Sequence, residues 1–316
     1  MSEVLWQLES VCLHGDSTYR LRNLNLSIHR GVTSLVGFSG AGKTSLLNVL
    51  AQLESPDAGS VQGPHVSVSS GQLPLYWSPQ EGGLWPHLTV RQHLYAVAPQ
   101  EFSNLADKLL AEFDLAGREN AFPSQLSRGE LSRLGVARCL AARPAIMLMD
   151  EPLAHTDPAR RPVWWQAIRE VLQVTGSSLV FSTHEPEAAV GESESVICLA
   201  NGTAVYEGAT SELYHRPPSA ELGQFLGMLN WFDDEQAAVW LRGMPGSPEA
   251  IGLRPERLDL IPDDDGPFTV SSFRFWGSFA ETTLDFTCDT TTHQRTILSR
   301  PSASLSPQQR VRLILK

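Results

Sequence analysis

Apolar positions along the first fifth of the chain change period twice. Val4 to Leu8 is apolar-rich, Leu24-Asn25-Leu26-Ser27-Ile28 alternates with period two, and Val32 to Val36 is a short apolar run. These patterns predict strands. Leu46, Leu47, Val49, Leu50 and Leu53 then fall at helical spacing, so the order is strand, glycine-rich loop, helix. Pro56, Gly59, Gly63 and Pro64 mark turns. From Thr89 to Leu115 the pattern is helical, with Leu94, Leu105, Leu109, Leu110 and Phe113 as its apolar positions. A second helix opens near Ser127, carries Leu131, Leu134, Val136 and Leu140, and is ended by Pro144.

Ala145 to Met149 is wholly apolar, as expected of a strand buried in a parallel sheet. Pro158 to Val174 reads as a helix burying Trp164, Trp165, Ile168, Val171 and Leu172, and Leu179-Val180-Phe181 as the next strand. Val196 to Leu199 and Thr203 to Tyr206 flank Asn201-Gly202, a hairpin signal. After about Phe225 the character changes. Gly243, Pro245, Gly246 and Pro248 read as a linker, and Phe273 to Trp276, Thr282 to Phe286 and Val311 to Leu315 as short strands with no helical period. The expected fold class is α/β followed by a small all-β domain.

Composition narrows the partners. A chain of 316 residues with 42% hydrophobic and 19% charged residues is ordinary for a globular protein with a substantial core. A formal net charge of -11 argues against general binding to nucleic acid or an anionic membrane surface. Cys12, Cys139, Cys198 and Cys288 have neither disulfide-framework nor metal-ligand spacing, so reduced thiols are expected. Met1-Ser2-Glu3 carries no basic region followed by an apolar run, so no secretory signal is expected. The apolar runs are too short to span a bilayer, so a membrane role would need a partner.

The loop Gly37-Phe38-Ser39-Gly40-Ala41-Gly42-Lys43-Thr44 fits G-x-x-x-x-G-K-[ST]. Glycines let backbone N–H groups approach phosphate oxygens, and the following helix adds its N-terminal donors. Lys43 is a point charge for β- and γ-phosphates, the Thr44 hydroxyl can ligate Mg²⁺, and Ser45 can add a hydroxyl near the α-phosphate. Asp150 and Glu151 end the core strand that begins at Ala145. Two acids there need a partner, and Mg²⁺ beside the loop is one. Asp150 would hold the metal, and Glu151 would act as general base on the attacking water. His184, after the next core strand, could meet the γ-phosphate or that water. Ser127 and Glu130 form S-x-x-E, a capping box, and Gly129 in the first turn leaves an anion room to approach.

Taken together these segments closely resemble the ATP-binding-cassette ATPases. Gly37 to Thr44 resembles their Walker A, Gln80 their Q-loop, and Leu126 to Glu130 their L-S-G-G-Q signature, with Arg133 and Arg138 where the family carries arginines. Asp150-Glu151-Pro152 resembles Walker B, Asp157 the D-loop acid and His184 the switch histidine. Six motifs in the family's order and spacing cover about the first 230 residues. The resemblance implies a P-loop NTPase core with antiparallel β and helical subdomains, the helical one over about 84–143, in a nucleotide-binding domain 1–229. It implies that two copies dimerise head to tail, with ATP between Walker A of one and Ser127 and Gly129 of the other. It also implies that Gln80 is a metal ligand and catalytic residue, and that the groove around it couples hydrolysis to a membrane permease.

Leu84 to Val90 resembles the L-F-P-H-L-T-V stretch of import ATPases. Glu212-Leu213-Tyr214, Pro217, Phe225-Leu226-Gly227 and Asn230 are similar to the end of the cassette in the iron(III), polyamine, sulfate, molybdate and maltose groups. Leu253-Arg254-Pro255-Glu256 and Phe275-Trp276-Gly277 resemble their accessory β-barrel, an OB-like TOBE-type domain over 230–316. The implied protein is the ATPase of an importer for iron(III), another inorganic ion or a polyamine. It would sit peripherally on the cytoplasmic face of the plasma membrane, in a system with a permease and a solute-binding protein. The alternative is a cassette ATPase acting on nucleic acid or ribosomes, which the charge disfavours. Three departures stand out: Arg128 replaces a signature glycine, Ala154-His155-Thr156-Asp157 replaces S-A-L-D, and Gly15 lies near the expected adenine-stacking aromatic, leaving Tyr19, His14 or Trp6 as substitutes.

Overall fold

The parallel sheet that carries the site is built from strands whose two faces are both covered. A computed structural model describes residues 3–16, 18–68, 72–99, 103–241, 251–288, 291–301 and 305–316. The linker residues Gly243, Pro245, Gly246 and Pro248 lie outside the described residues. The chain forms two compact units, 1–210 and 211–316.

The first unit runs β1 (Val4–His14), β2 (Tyr19–His29), β3 (Val32–Val36), α1 (Lys43–Leu50), β4 (Ala58–Gln62), β5 (Leu75–Ser78), α2 (Val90–Tyr95), α3 (Ser103–Glu112), α4 (Arg128–Ala141), β6 (Ile146–Met149), α5 (Arg161–Thr175), β7 (Ser178–Thr183), α6 (Pro186–Glu192), β8 (Ser195–Ala200) and β9 (Thr203–Ala209). Six strands form one sheet in the order β5-β6-β7-β3-β8-β9. The first five are parallel, and β9 returns antiparallel through the Asn201-Gly202 turn, where both residues have positive φ. A second sheet, β2-β1-β4, is antiparallel.

Strand β6 shows why an unbroken apolar run was needed. Its residues alternate between two cores: Met147 and Met149 pack with α2–α5, Ile146 and Leu148 with α1 and the antiparallel sheet. All four are buried. Side chains on a strand point alternately to opposite faces, so a strand covered on both sides must be apolar throughout.

The helical run expected over Thr89 to Leu115 is two helices, α2 and α3. The chain leaves the helix after Tyr95, and Pro99, which has no N–H to donate, stands in the break. Likewise α5 starts at Arg161 rather than Pro158. The Asp157 carboxylate accepts the Ala159 N–H at 3.0 Å, a local turn that competes with the helix.

The second unit continues from α7 (Thr210–His215) through α8 (Ala220–Gln224), β10 (Asn230–Phe232), α9 (Asp234–Trp240), β11 (Ile251–Leu253), β12 (Leu258–Pro262), β13 (Phe268–Phe275), β14 (Ala280–Cys288), β15 (Thr291–Ser299) and β16 (Arg310–Leu315). Five strands pair antiparallel in the order β12-β16-β13-β14-β15. Helix α9, which the strand pattern did not suggest, is capped by Asp233 and Gln236 and stacks Trp240 on Phe268 at 5.2 Å. Buried Arg254 gathers the stretch before this sheet, donating to the carbonyls of Tyr214, Gly223, Gly227 and Met228. These bonds tie the stretch 214–228 to the second unit.

Candidate functional site

Strands β3, β5, β6 and β7 are parallel neighbours, so their carboxyl ends share one edge of the sheet. Ligands bind at this edge in open α/β sheets. Gly37 follows β3, Gln80 lies two residues past β5, Asp150 follows β6 and His184 follows β7. Residues distant in sequence thereby line one cleft of about 490 Å³: Ser39 to Ser45, Gln80, Glu151 and His184, with Tyr19 and Arg20 at its side.

The loop conformation depends on its glycines. Gly42 has φ +106°, and a Cβ there would stand 2.6 Å from the Arg20 carbonyl oxygen. Gly40 has φ +78° and opens toward space. An L side chain disfavours both conformations. Lys43, 8% exposed, donates to the carbonyls of Gly37 at 2.7 Å and Phe38 at 3.4 Å. Its charge is therefore held at the loop's mouth, and among the described residues no acid pairs with it.

Asp150 is buried and accepts from the Thr44 hydroxyl at 2.7 Å and from Ser182 Oγ. The same Ser182 Oγ accepts the Glu151 N–H at 2.9 Å. Glu151 takes a left-handed φ of 50°, and its carboxylate is hydrogen-bonded to Nδ1 of exposed His184. Thr44 and Asp150 supply the hard oxygen donors that suit Mg²⁺. A buried carboxylate that, among the described residues, rests on two hydroxyls is the chemistry such an ion would complete. In the sequence Ser182 stands with Thr183 and His184 as the polar group ending the Leu179-Val180-Phe181 strand, with no role assigned to it; its hydroxyl proves to be fully buried between Asp150 and Glu151.

Ser127, Gly129 and Asp157 do not enter this cleft. They line a separate depression of about 520 Å³, with Arg128, His155 and Arg160. Ser127 caps α4, and the Glu130 carboxylate returns to the Ser127 N–H at 2.8 Å. That N–H, with the Ser127 hydroxyl and Arg118, holds Glu130 below the usual carboxylate range. Such a capping pair stabilises a helix start by about 1 kcal/mol. A Cβ on Gly129 would lie 3.0 Å from the His155 carbonyl oxygen, so this glycine also lets the turn before Asp157 pack close. Arg138, buried on the same helix, donates to the carbonyls of Gly82 and Gly83 at 2.8 and 3.0 Å, and so ties α4 to the turn after Gln80.

Among the aromatics considered for stacking a base, Trp6 is fully buried. His14 is held by Asp57 and packs on Tyr19 with ring centroids 4.1 Å apart. Only Tyr19, 46% exposed, also lines the cleft.

A glycine loop between strand and helix, a buried lysine at its mouth and acids at the end of β6, one strand removed across β7, define a P-loop nucleoside triphosphatase. The ABC transporter family profile matches residues 21–154. The chain is 32% identical over 270 residues to the Fe(3+) ions import ATP-binding protein of Pseudomonas fluorescens, covering 77% of this chain and 75% of that one. To the protein of the same description from Pasteurella multocida it is 34% identical over 262 residues, covering 75% of each. To the sulfate/thiosulfate import ATP-binding protein of Synechocystis sp. it is 29% identical over 272 residues, covering 79% of this chain and 75% of that one. Among solved structures, a dimeric ATP-binding cassette in a post-hydrolysis state bound to ADP and Pi superposes with TM-score 0.56 at 26% identity, covering 65% of this chain and 98% of that one. An ATP-binding subunit of an ABC transporter, at TM-score 0.58 and 22% identity, covering 66% of this chain and 91% of that one, shares the fold. The chain belongs to the ABC transporter family and is an ATP-binding ATPase of that family. No described helix is long and apolar enough to cross a membrane.

Proposed function

We propose that this chain is the ATP-hydrolysing motor of an importer, working as a head-to-tail pair of copies against a membrane permease. The observation that carries this reading is the separation of two half-sites on one chain. The phosphate cleft holds Ser39 to Ser45, Gln80, Glu151 and His184, while Ser127, Gly129 and Asp157 line a surface of their own. Each half-site is incomplete alone, and a second copy turned head to tail would bring each against the other's complement. The dimeric, ADP- and Pi-bound neighbour supports this arrangement.

In this reading the loop N–H groups and Lys43 hold the β- and γ-phosphates, and Tyr19 stacks the base. Mg²⁺, held by Thr44 and Asp150 with Gln80 within reach of the cleft, would neutralise phosphate charge. Glu151 takes the proton of the attacking water, and His184 fixes the carboxylate's orientation. Ser127 and Gly129 meet the nucleotide held by the partner copy. Functionally we divide the chain into a nucleotide-binding domain, 1–229, with a helical part over about 84–143, and a TOBE-like accessory domain, 230–316. The solute is iron(III) or a related inorganic ion, by similarity to the Fe(3+) and sulfate import proteins. A solute-binding protein completes the system, and the motor works at the cytoplasmic face of the membrane.

The test is isolation of the tagged Glu151→Gln chain with Mg-ATP from detergent-solubilised membranes of its native cell. A multi-span membrane protein is expected to co-purify, and its neighbouring solute-binding protein would name the cargo. Recovery of only soluble partners or nucleic acid would sink the importer reading and favour a cassette acting elsewhere.

A further inference from the structure

Between Asp150 and Asp157 the backbone is under unusual constraint. Glu151, Leu153 and His155 take φ values of 50°, 62° and 60°. Left-handed backbone is uncommon outside glycine, and rarer still for a bulky residue such as Leu153. Such conformations persist only where surrounding structure over-determines them, and they cluster at functional sites.

Two sets of contacts hold this turn to the end of β7 and the segment that follows it. At the near end, Ser182 Oγ accepts the Glu151 N–H and His184 Nδ1 meets the Glu151 carboxylate. At the far end stands Arg161, in the first turn of α5. Its Nε and Nη2 donate to Thr156 Oγ1 at 3.3 Å and to the Thr156 carbonyl at 3.2 Å. Its Nη1 pairs with Glu185 Oε1 at 2.7 Å. Thr156 Oγ1 in turn donates to the Leu153 carbonyl at 2.5 Å, reaching back into the left-handed stretch. Glu185 occupies the N-cap position of α6, yet its carboxylate makes no cap hydrogen bond there. It is turned to Arg161.

We propose that Arg161 is a positioning residue for hydrolysis. With Glu185 it latches the Thr156-Asp157 end of the strained turn to the His184 segment, so that Glu151 and the Asp157 surface hold a fixed relation. The proposal rests on Glu151 being the general base. The side chains of Arg161 and Glu185 are 22% and 27% exposed, so the pair itself contributes modestly to stability. What it supplies is geometry. A displacement of about 1 Å at a reacting group can cost on the order of a hundredfold in rate. The latch also gives a physical route by which docking at the Asp157 surface alters the base, since both ends of the turn are tied to one segment.

The experiment measures steady-state ATP hydrolysis and thermal melting of the full chain for wild type, Arg161→Gln, Glu185→Gln, the swap Arg161→Glu with Glu185→Arg, and Glu151→Gln as reference. Arg161→Gln is expected to lower kcat about tenfold with KM within about twofold. Glu185→Gln should lower kcat several-fold, and the swap should recover a substantial part of the loss. If Arg161→Gln is too poorly folded to assay, Glu185→Gln decides, because it leaves the Thr156 bonds in place. Wild-type kcat in folded Arg161→Gln or Glu185→Gln, with Glu151→Gln inactive, overturns the latch and leaves the site reading standing. A fall in melting temperature with kcat unmoved also overturns it. Wild-type hydrolysis by Glu151→Gln removes the reading beneath it.

Discussion

Glu151→Gln is expected to lower ATP hydrolysis by at least about a hundredfold, the lower end of what a general base contributes, while ATP binding stays within about twofold of wild type. The substitution keeps the side chain's length and a hydrogen-bonding partner for His184, and removes only the ability to take a proton. Among the described residues the Glu151 carboxylate meets His184, its N–H goes to Ser182 and its carbonyl accepts from Ala154, none of them in the phosphate loop. Nucleotide affinity should therefore survive. Phosphate release and a nucleotide titration on the same preparation check both halves. Undiminished hydrolysis would move the base elsewhere in the cleft.

Lys43→Ala should act on the other term. A charge-assisted hydrogen bond is worth about 1.5–3 kcal/mol, and roughly 1.4 kcal/mol is tenfold in affinity, so the Kd for ATP should rise by about ten- to a hundredfold. Lys43 is buried and, among the described residues, rests on the Gly37 and Phe38 carbonyls, so its charge is available to an incoming phosphate at little cost. Tyr19→Ala, in the same titration, should raise Kd on the order of fivefold, the lower end of base–aromatic stacking. Tyr19 is the smaller effect because one exposed ring face replaces a full charge. Equal affinity in Lys43→Ala and wild type would mean that the Gly37–Thr44 loop is not the phosphate site.

What could be read from the sequence was what is local. The loop from Gly37 to Thr44 is contiguous, and its glycines are required by backbone geometry that the structure reproduces at Gly40 and Gly42. Asp150 and Glu151 were legible because an unbroken apolar strand ends in two acids, and the Ser127–Glu130 cap because its residues lie three apart. Contacts across the sheet edge were not legible. Ser182 reaches Asp150 and Arg161 reaches Glu185 only because β6, β7 and α5 are neighbours in space. The single helix expected over Thr89 to Leu115 failed because apolar spacing carries no mark of a break, and Pro99 was the residue that held that information. Helix α9 was missed although Asp233 and Gln236 have capping spacing, since seven residues give too little period to read. The Arg254 clamp on residues 214–228 had no sequence signature beyond a motif resemblance.

The central claim is that ATP is hydrolysed at a site shared by two copies, and complementation tests it most directly. Lys43→Ala breaks the phosphate loop and Ser127→Arg obstructs the facing surface, at a capping cost of about 1 kcal/mol that the fold should tolerate. Each variant alone is expected to be nearly inactive. When the two are mixed, a head-to-tail pair retains one site with an intact loop and an intact Ser127, and hydrolysis should return. Wild-type hydrolysis by Ser127→Arg on its own would contradict the account, because the cleft would then be complete within a single chain.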